Sequence, residues 1–251
     1  MKAFRSEYSH LGELRSFAPA SVPMVALTAT ATAATRRTIS KSLGLRNAAM
    51  ILEQPKRHNI KSAVICIKEK DVFRTFKWVL DGLCEQRGEY NKTIIFYRTK
   101  KQCNSLYARF EQTMAPNSAD NRYFAKFHAQ TDEDVKTEIV KDFKEESSRI
   151  RVLFVMVAFG MGMDVHSVHT VIQYGPPYDI EEYIQESGRA GRDGKPSISI
   201  IVSYPGAAKL SHPDASIKEF MSPTSGWQVA AMSQFEGDSG TSVSNITPHK
   251  C

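Results

Sequence analysis

Apolar and polar positions along the chain switch repeatedly between two periods. A short apolar run at residues 23–27 predicts a buried strand, followed by a helix that carries Ile39 and Leu43. Residues 61–67 predict a second strand, after which Val72, Phe76, Val79, Leu80 and Leu83 recur at helical spacing. Residues 93–97 are continuously apolar, and Cys103, Leu106, Tyr107 and Phe110 then fall at i, i+3, i+4 and i+7, one face of a helix. A polar stretch leads to a strand near residues 123–128. Thr131-x-x-Asp134 has the form of a capping box opening a helix with Val135, Ile139, Val140 and Phe143 inside.

Residues 152–157 are apolar on both faces, as a central parallel strand requires. Residues 170–174 and 198–202 predict two more strands, with a helix between them from about Ile180. Strand and helix alternating at this spacing predict an α/β fold, a parallel sheet with helices on both faces. Beyond Gly206 the pattern fades into Ser, Thr, Gly and Pro, which predicts a weakly ordered tail with at most one short helix near residues 217–221.

The length, 251 residues, fits one large or two smaller units. Apolar content of 41% and charged content of 24% exclude wholesale disorder. Thirty-three basic against 27 acidic side chains leave a net charge of +6, which suits a polyanionic partner. Four cysteines with no C-x-x-C pair give no zinc module and fit reduced thiols in a cytosolic or nuclear compartment. Residues 18–35 are uncharged, yet Pro19, Pro23 and the many threonines make a poor membrane span. The N-terminus lacks the apolar core of a signal peptide, so the expected location is the nucleus, or the cytoplasm of a prokaryote, without secretion.

The candidate chemistry lies in two stretches. In Gln185-Glu186-Ser187-Gly188-Arg189-Ala190-Gly191-Arg192-Asp193-Gly194, a helix continuing to Arg192 would place Gln185, Arg189 and Arg192 on one stripe. Two guanidiniums so presented suit the oxygens of a transferring phosphoryl group; the alternative is a glycine-rich turn with solvated arginines. The second stretch, Ala158-Phe159-Gly160-Met161-Gly162-Met163-Asp164, follows the central strand, at the end where open α/β sheets bind ligands. There Asp164 is placed to accept a ribose hydroxyl.

With these two stretches, the chain resembles the RecQ family of ATP-dependent DNA helicases, within helicase superfamily two. Phe4-Arg5-x-x-Tyr8-x-x-Leu11 with Leu14-Arg15 looks like the segment after Walker B, and Ala26-Leu27-Thr28-Ala29-Thr30-Ala31-Thr32 looks like motif III. Thr93-Ile94-Ile95-Phe96-Tyr97-Arg98-Thr99-Lys100 resembles motif IV, and the two chemical stretches resemble motifs V and VI. The resemblance covers roughly residues 4–206.

It implies two RecA-like lobes that close on ATP and move 3′→5′ along single-stranded DNA. Residues 1–54 would be the end of the first lobe, 55–62 a hinge, 63–206 the complete second lobe and 207–251 a divergent tail. Arg192 would be the arginine finger, with Arg189 beside it on the phosphates, Gln185 orienting both, and Asp164 with Gly162 at the nucleotide. Thr28 and Thr30 would couple nucleotide state to DNA. Thr99, Lys100, Arg98 and His128 would meet the DNA backbone. Thr99 reads equally as a helix N-cap and His128 as a structural histidine. ATP and Mg²⁺ are the cofactors of an intact family member, and DNA its partner; no zinc and no membrane are expected.

The chain also departs from the family. No stretch of it reads as Walker A, and none as Walker B: Gly188 to Lys195 has the wrong spacing, with Pro196 where a hydroxyl belongs. Met156 stands where motif V has a threonine, and Gln130 where a glycine follows His128-Ala129. The expected reading is therefore a piece of a RecQ-type helicase, inactive alone. The alternative is a non-catalytic lobe that binds DNA or docks on a full-length helicase or a missing first lobe.

Overall fold

The computed structural model describes residues 6–19, 21–68, 72–114, 123–128, 131–156, 165–222 and 235. The chain divides into two compact units, one of residues 1–56 with 228–251 and the other of residues 57–227.

In the first unit a 3₁₀ helix, Ser6–Glu13, runs into α1 (Leu14–Phe17), and α2 spans Ala33–Ser42. The Thr32 hydroxyl caps α2 by accepting from the Thr35 N–H at 3.3 Å. Residues 23–27 correct the sequence-based expectation: they form no strand, and Val25 and Leu27 are 77% and 93% exposed. No described strand of this unit lies alongside them, so their N–H and C=O groups have no ladder to join, and local β-propensity does not hold a strand by itself. Ala31 and Phe235 are the buried apolar residues among those described in this unit, and Arg36 Nη1 donates to both their carbonyls, at 2.8 and 3.3 Å.

The second unit carries a six-stranded sheet in the order β1-β6-β5-β2-β4-β3, with every pairing parallel. Its strands are β1 (Ile60–Cys66), β2 (Lys92–Tyr97), β3 (Phe124–Phe127), β4 (Val152–Met156), β5 (Val168–Tyr174) and β6 (Ser197–Ser203). The helices are α3 (Val72–Gln86), α4 (Lys100–Met114), α5 (Glu133–Lys144), α6 (Ile180–Ser187), α7 (Ala207–Ser211) and α8 (Ala215–Phe220). This is the α/β architecture that the alternating pattern predicts.

The period-two rule explains why the central strands are apolar throughout. Ile95, Tyr97, Phe154, Ile172 and Tyr174 face one layer, where α3 and α4 bring Phe76, Leu80, Leu83, Leu106 and Phe110. Ile94, Phe96, Leu153, Val155 and Val171 face the other, against Phe143, Ile139 and Val140 of α5. The first layer is held by edge-to-face aromatic pairs, among them Phe110–Phe154 at 5.1 Å and Phe76–Tyr174 at 5.3 Å between centroids.

Several local expectations change. The cap of α5 is Asp132, whose side chain accepts from the Asp134 N–H at 3.0 Å, whereas the Thr131 hydroxyl accepts from the His128 N–H. The helix thus starts one residue later than a Thr131 cap would set it, and Val135 turns outward, 45% exposed. Replacing Asp132 by Ala is expected to cost about 1 kcal/mol, read as a lower midpoint in urea denaturation with an unchanged slope.

The second unit begins at Arg57 and its first strand, β1, at Ile60. Residues 207–222 are also more ordered than their composition predicts. Phe220 of α8 packs on Tyr183 of α6 with ring centroids 4.5 Å apart, Ile217 is buried, and Asp214 caps α8. Burial against α6 supplies what local propensity lacks.

Candidate functional site

The arginine stretch does not continue as one helix. The α6 helix ends at Ser187, Gly188 caps it, and the Arg189 and Ala190 N–H groups close a tight turn onto the Glu186 and Ser187 carbonyls. The stripe of Gln185, Arg189 and Arg192 is therefore broken: the chain turns at Gly191, whose φ is +61°. A side chain there would place its Cβ 2.4 Å from Asn59 Nδ2, so both backbone angle and packing require glycine.

Arg189 is buried, 8% exposed, while Gln185 and Arg192 are exposed. Burial holds the Arg189 guanidinium below its usual proton affinity, the nearby Arg192 charge lowers it further, and Glu186 opposes both. The two arginines thus lie close enough to repel each other. Two neighbouring guanidiniums are chemically suited to a polyanionic group.

The loop that carries Arg192 rests against the amino ends of β5, β6 and β1. The Gly191 N–H donates to the Val168 carbonyl at 2.8 Å, and His169 Nε2 lies 2.9 Å from Asp193 Oδ2. The Gly191 carbonyl accepts from Arg57 Nη2 at 2.6 Å, Asn59 Nδ2 at 2.7 Å and the Gly194 N–H at 3.0 Å. Asp193 is held below the usual carboxylate range: burial opposes ionisation, but the Lys195 N–H and the His169 imidazole outweigh it. Arg57, Asn59 and His169 escape a sequence reading because they lie on segments remote from the stretch they brace. Asp164 and Gly162, the expected nucleotide contacts, lie outside the described residues, as does Gln130.

The residues expected to meet DNA sit at the carboxyl ends of β2 and β3. Arg98 turns inward: its side chain is 4% exposed, forked on Glu186 at 3.0 and 3.3 Å and bonded to Glu182 at 3.1 Å. Its guanidinium is thus committed to these two carboxylates, in place of the exposed position that a phosphate contact was expected to use. Thr99 caps α4 in a reciprocal box, its hydroxyl accepting from the Gln102 N–H at 3.3 Å and its own N–H donating to Gln102 Oε1 at 3.2 Å.

Lys100 is exposed, and it belongs to a basic group around His128. Burial lowers the His128 pKa, and Lys126, Lys100 and Lys136 lower it further. Lys126 Nζ also sits 4.8 Å over the Tyr107 ring. Lys126 and Lys136 were not legible as site residues, since they come from β3 and α5 and only the fold gathers them. Thr28 and Thr30 belong to the first unit, where the Thr28 hydroxyl donates to the Thr30 carbonyl at 2.8 Å. Among the described residues no group of three His, Cys, Asp or Glu side chains is placed to hold a metal, and no helix is long and apolar enough to cross a membrane.

Residues 74–194 match the helicase conserved C-terminal domain. The chain is 33% identical over 198 residues to the ATP-dependent helicase wrn-1 of Caenorhabditis elegans, covering 78% of this chain and 18% of that protein. It is 31% identical over 204 residues to the ATP-dependent DNA helicase RecQ of Pasteurella multocida, covering 80% of this chain and 29% of that protein. The chain thus spans less than a third of the length of these curated relatives. Among solved structures it is similar to Saccharomyces cerevisiae Dbp5 bound to RNA and ADP BeF3, with a TM-score of 0.67 at 21% identity over 90% of this chain and 56% of that one. That likeness shows the fold, a RecA-like helicase lobe. With a helicase C-terminal domain match that runs from α3 to the arginine loop, and 31–33% identity to RecQ-type helicases over 78–80% of its length, the chain belongs to the RecQ family of superfamily-two helicases.

Proposed function

We propose that the chain supplies the second RecA-like lobe of an ATP-dependent 3′→5′ DNA helicase, acting in recombination or repair, in the nucleus of a eukaryotic host. The observation that carries this reading is the arginine pair: Arg192 exposed on a braced loop, with Arg189 buried beside it. In this role Arg192 is the arginine finger and Arg189 its partner on the phosphates. ATP supplies the phosphoryl bond, with Mg²⁺ on its phosphates; the chain's own residues neutralise charge that develops on the transferring group. Lys100, Lys126 and His128 form the supporting basic surface for a DNA backbone, which gives affinity without sequence preference.

No Walker A or Walker B stretch accompanies this pair in the sequence, so the 251-residue chain is expected to show no ATP turnover alone, with or without single-stranded DNA. DNA-stimulated turnover that Arg192→Ala abolishes would overturn that expectation. The basic group around His128 favours a second reading, a non-catalytic lobe that holds DNA. It predicts binding to an oligonucleotide that weakens steeply between about 50 and 200 mM salt. Fluorescence anisotropy checks it, and salt-independent binding would count against it.

A further inference from the structure

We infer that Arg57, Asn59 and His169 are positioning residues for Arg192, clamping its loop from both sides. The inference rests on the reading of Arg192 as the phosphate-facing arginine, but the clamp itself is independent of any ligand.

The geometry surrounds Arg192 on each flank. On the N-terminal flank, the Gly191 carbonyl accepts three hydrogen bonds, from Arg57 Nη2, Asn59 Nδ2 and the Gly194 N–H. A carbonyl has two lone pairs, so three donors converging on one oxygen fix the plane of the Gly191–Arg192 peptide. That plane decides the direction in which Arg192 leaves the backbone. Asn59 Nδ2 also donates to the Lys195 carbonyl at 3.0 Å, so a single amide spans the loop from residue 191 to residue 195. The Asn59 carbonyl in turn accepts from the Ser197 N–H at 2.8 Å, which anchors the clamp to the first residue of β6.

On the C-terminal flank, Asp193 is held by His169 Nε2 at 2.9 Å and by the Lys195 N–H at 3.1 Å. Both side chains of the His169–Asp193 pair are mostly shielded, 16% and 18% exposed, so water competes little for their hydrogen bond. His169 stands on β5 next to Val168, whose carbonyl already holds the Gly191 N–H. The loop is thus fastened to the amino end of β5 at residues 191 and 193, leaving Arg192 as the exposed side chain between. An arginine acting on a developing charge is effective only where its geometry is fixed before the reaction.

The test is residue-resolved hydrogen exchange on the full 251-residue chain. Asn59→Ala and Arg57→Ala are expected to speed exchange at the Gly191 and Gly194 amides by about 3- to 10-fold, the equivalent of one lost hydrogen bond. Amides of β2 and β5 away from the loop should keep their protection, and Arg57→Lys should restore part of the loss. His169→Asn should speed exchange at Lys195 and Gly194, and it serves as the second variant if Asn59→Ala lowers global protection. Unchanged exchange at Gly191, Gly194 and Lys195 in all three single variants would overturn the clamp. Faster exchange there, with ATP turnover of an assembled helicase insensitive to Arg192→Ala, would uphold the clamp and overturn the nucleotide reading instead.

Discussion

Arg192→Ala is expected to lower DNA-stimulated ATP turnover by about 10³–10⁵-fold in an ATP-hydrolysing protein that contains this lobe. The size follows from what an arginine finger does. It stabilises charge that exists only as the phosphoryl group transfers, so its loss falls on turnover more than on nucleotide affinity. The fold should not respond, because Arg192 is exposed while the buried neighbours Ala190 and Gly191 keep their contacts. A thermal midpoint within the range of an ordinary surface substitution is therefore expected alongside the lost activity. Arg192→Lys should rescue little, since an ammonium cannot present the planar fork of a guanidinium. Steady-state ATPase at saturating oligonucleotide, with a parallel melt, reads both quantities. A variant that kept near-parent turnover would remove Arg192 from the mechanism.

Arg98→Ala is expected to destabilise the second unit by about 3–5 kcal/mol at pH 8, where it strands a buried carboxylate. Arg98 forks on Glu186 with both side chains 4% exposed, and also holds Glu182, so the network ties the end of β2 to α6. Burial pushes the Glu186 carboxyl up to about 7 even though Arg98 opposes the shift. A carboxyl whose folded value lies above its ordinary one contributes stability below that ordinary value and loses it as pH rises through about 7. Removing Arg98 raises it further. The cost of Arg98→Ala should consequently be larger at pH 8 than at pH 5, where Glu186 carries a proton in both proteins. Urea titrations at the two pH values measure the difference, and Glu186→Gln in the same background should flatten it. An equal cost at both pH values would mean that Glu186 is not the group that responds.

These outcomes bear on how far the chain could be read without its fold. The order of strands and helices through the second unit was legible because each central strand is apolar on both faces and each helix repeats at its own period. Phe76, Leu83, Leu106 and Phe110 fall on helix faces that the spacing alone identifies, and all are buried. The arginine stretch and motif IV were likewise visible as local strings of residues. Val25 and Leu27 show the opposite case: their apolar run looks like a strand, yet a strand needs neighbours that no local window contains.

The sequence by itself determined the α/β class, the parallel character of the sheet, the position of the arginine pair along the chain and the family. Each of these is carried by contiguous residues or by a period within one element. Only the tertiary structure decided which charged residues face inward. Arg98 reads in sequence as one more cation beside Lys100 and Lys101, but Glu182 and Glu186, from a helix more than 80 positions later, draw it into the interior. In the same way Arg57, Asn59 and His169 meet the arginine loop only because β1, β5 and β6 lie side by side. Hydrogen bonds and ion pairs depend on distances of about 3 Å. Spacing along the chain sets such distances within an element, and packing alone sets them between elements.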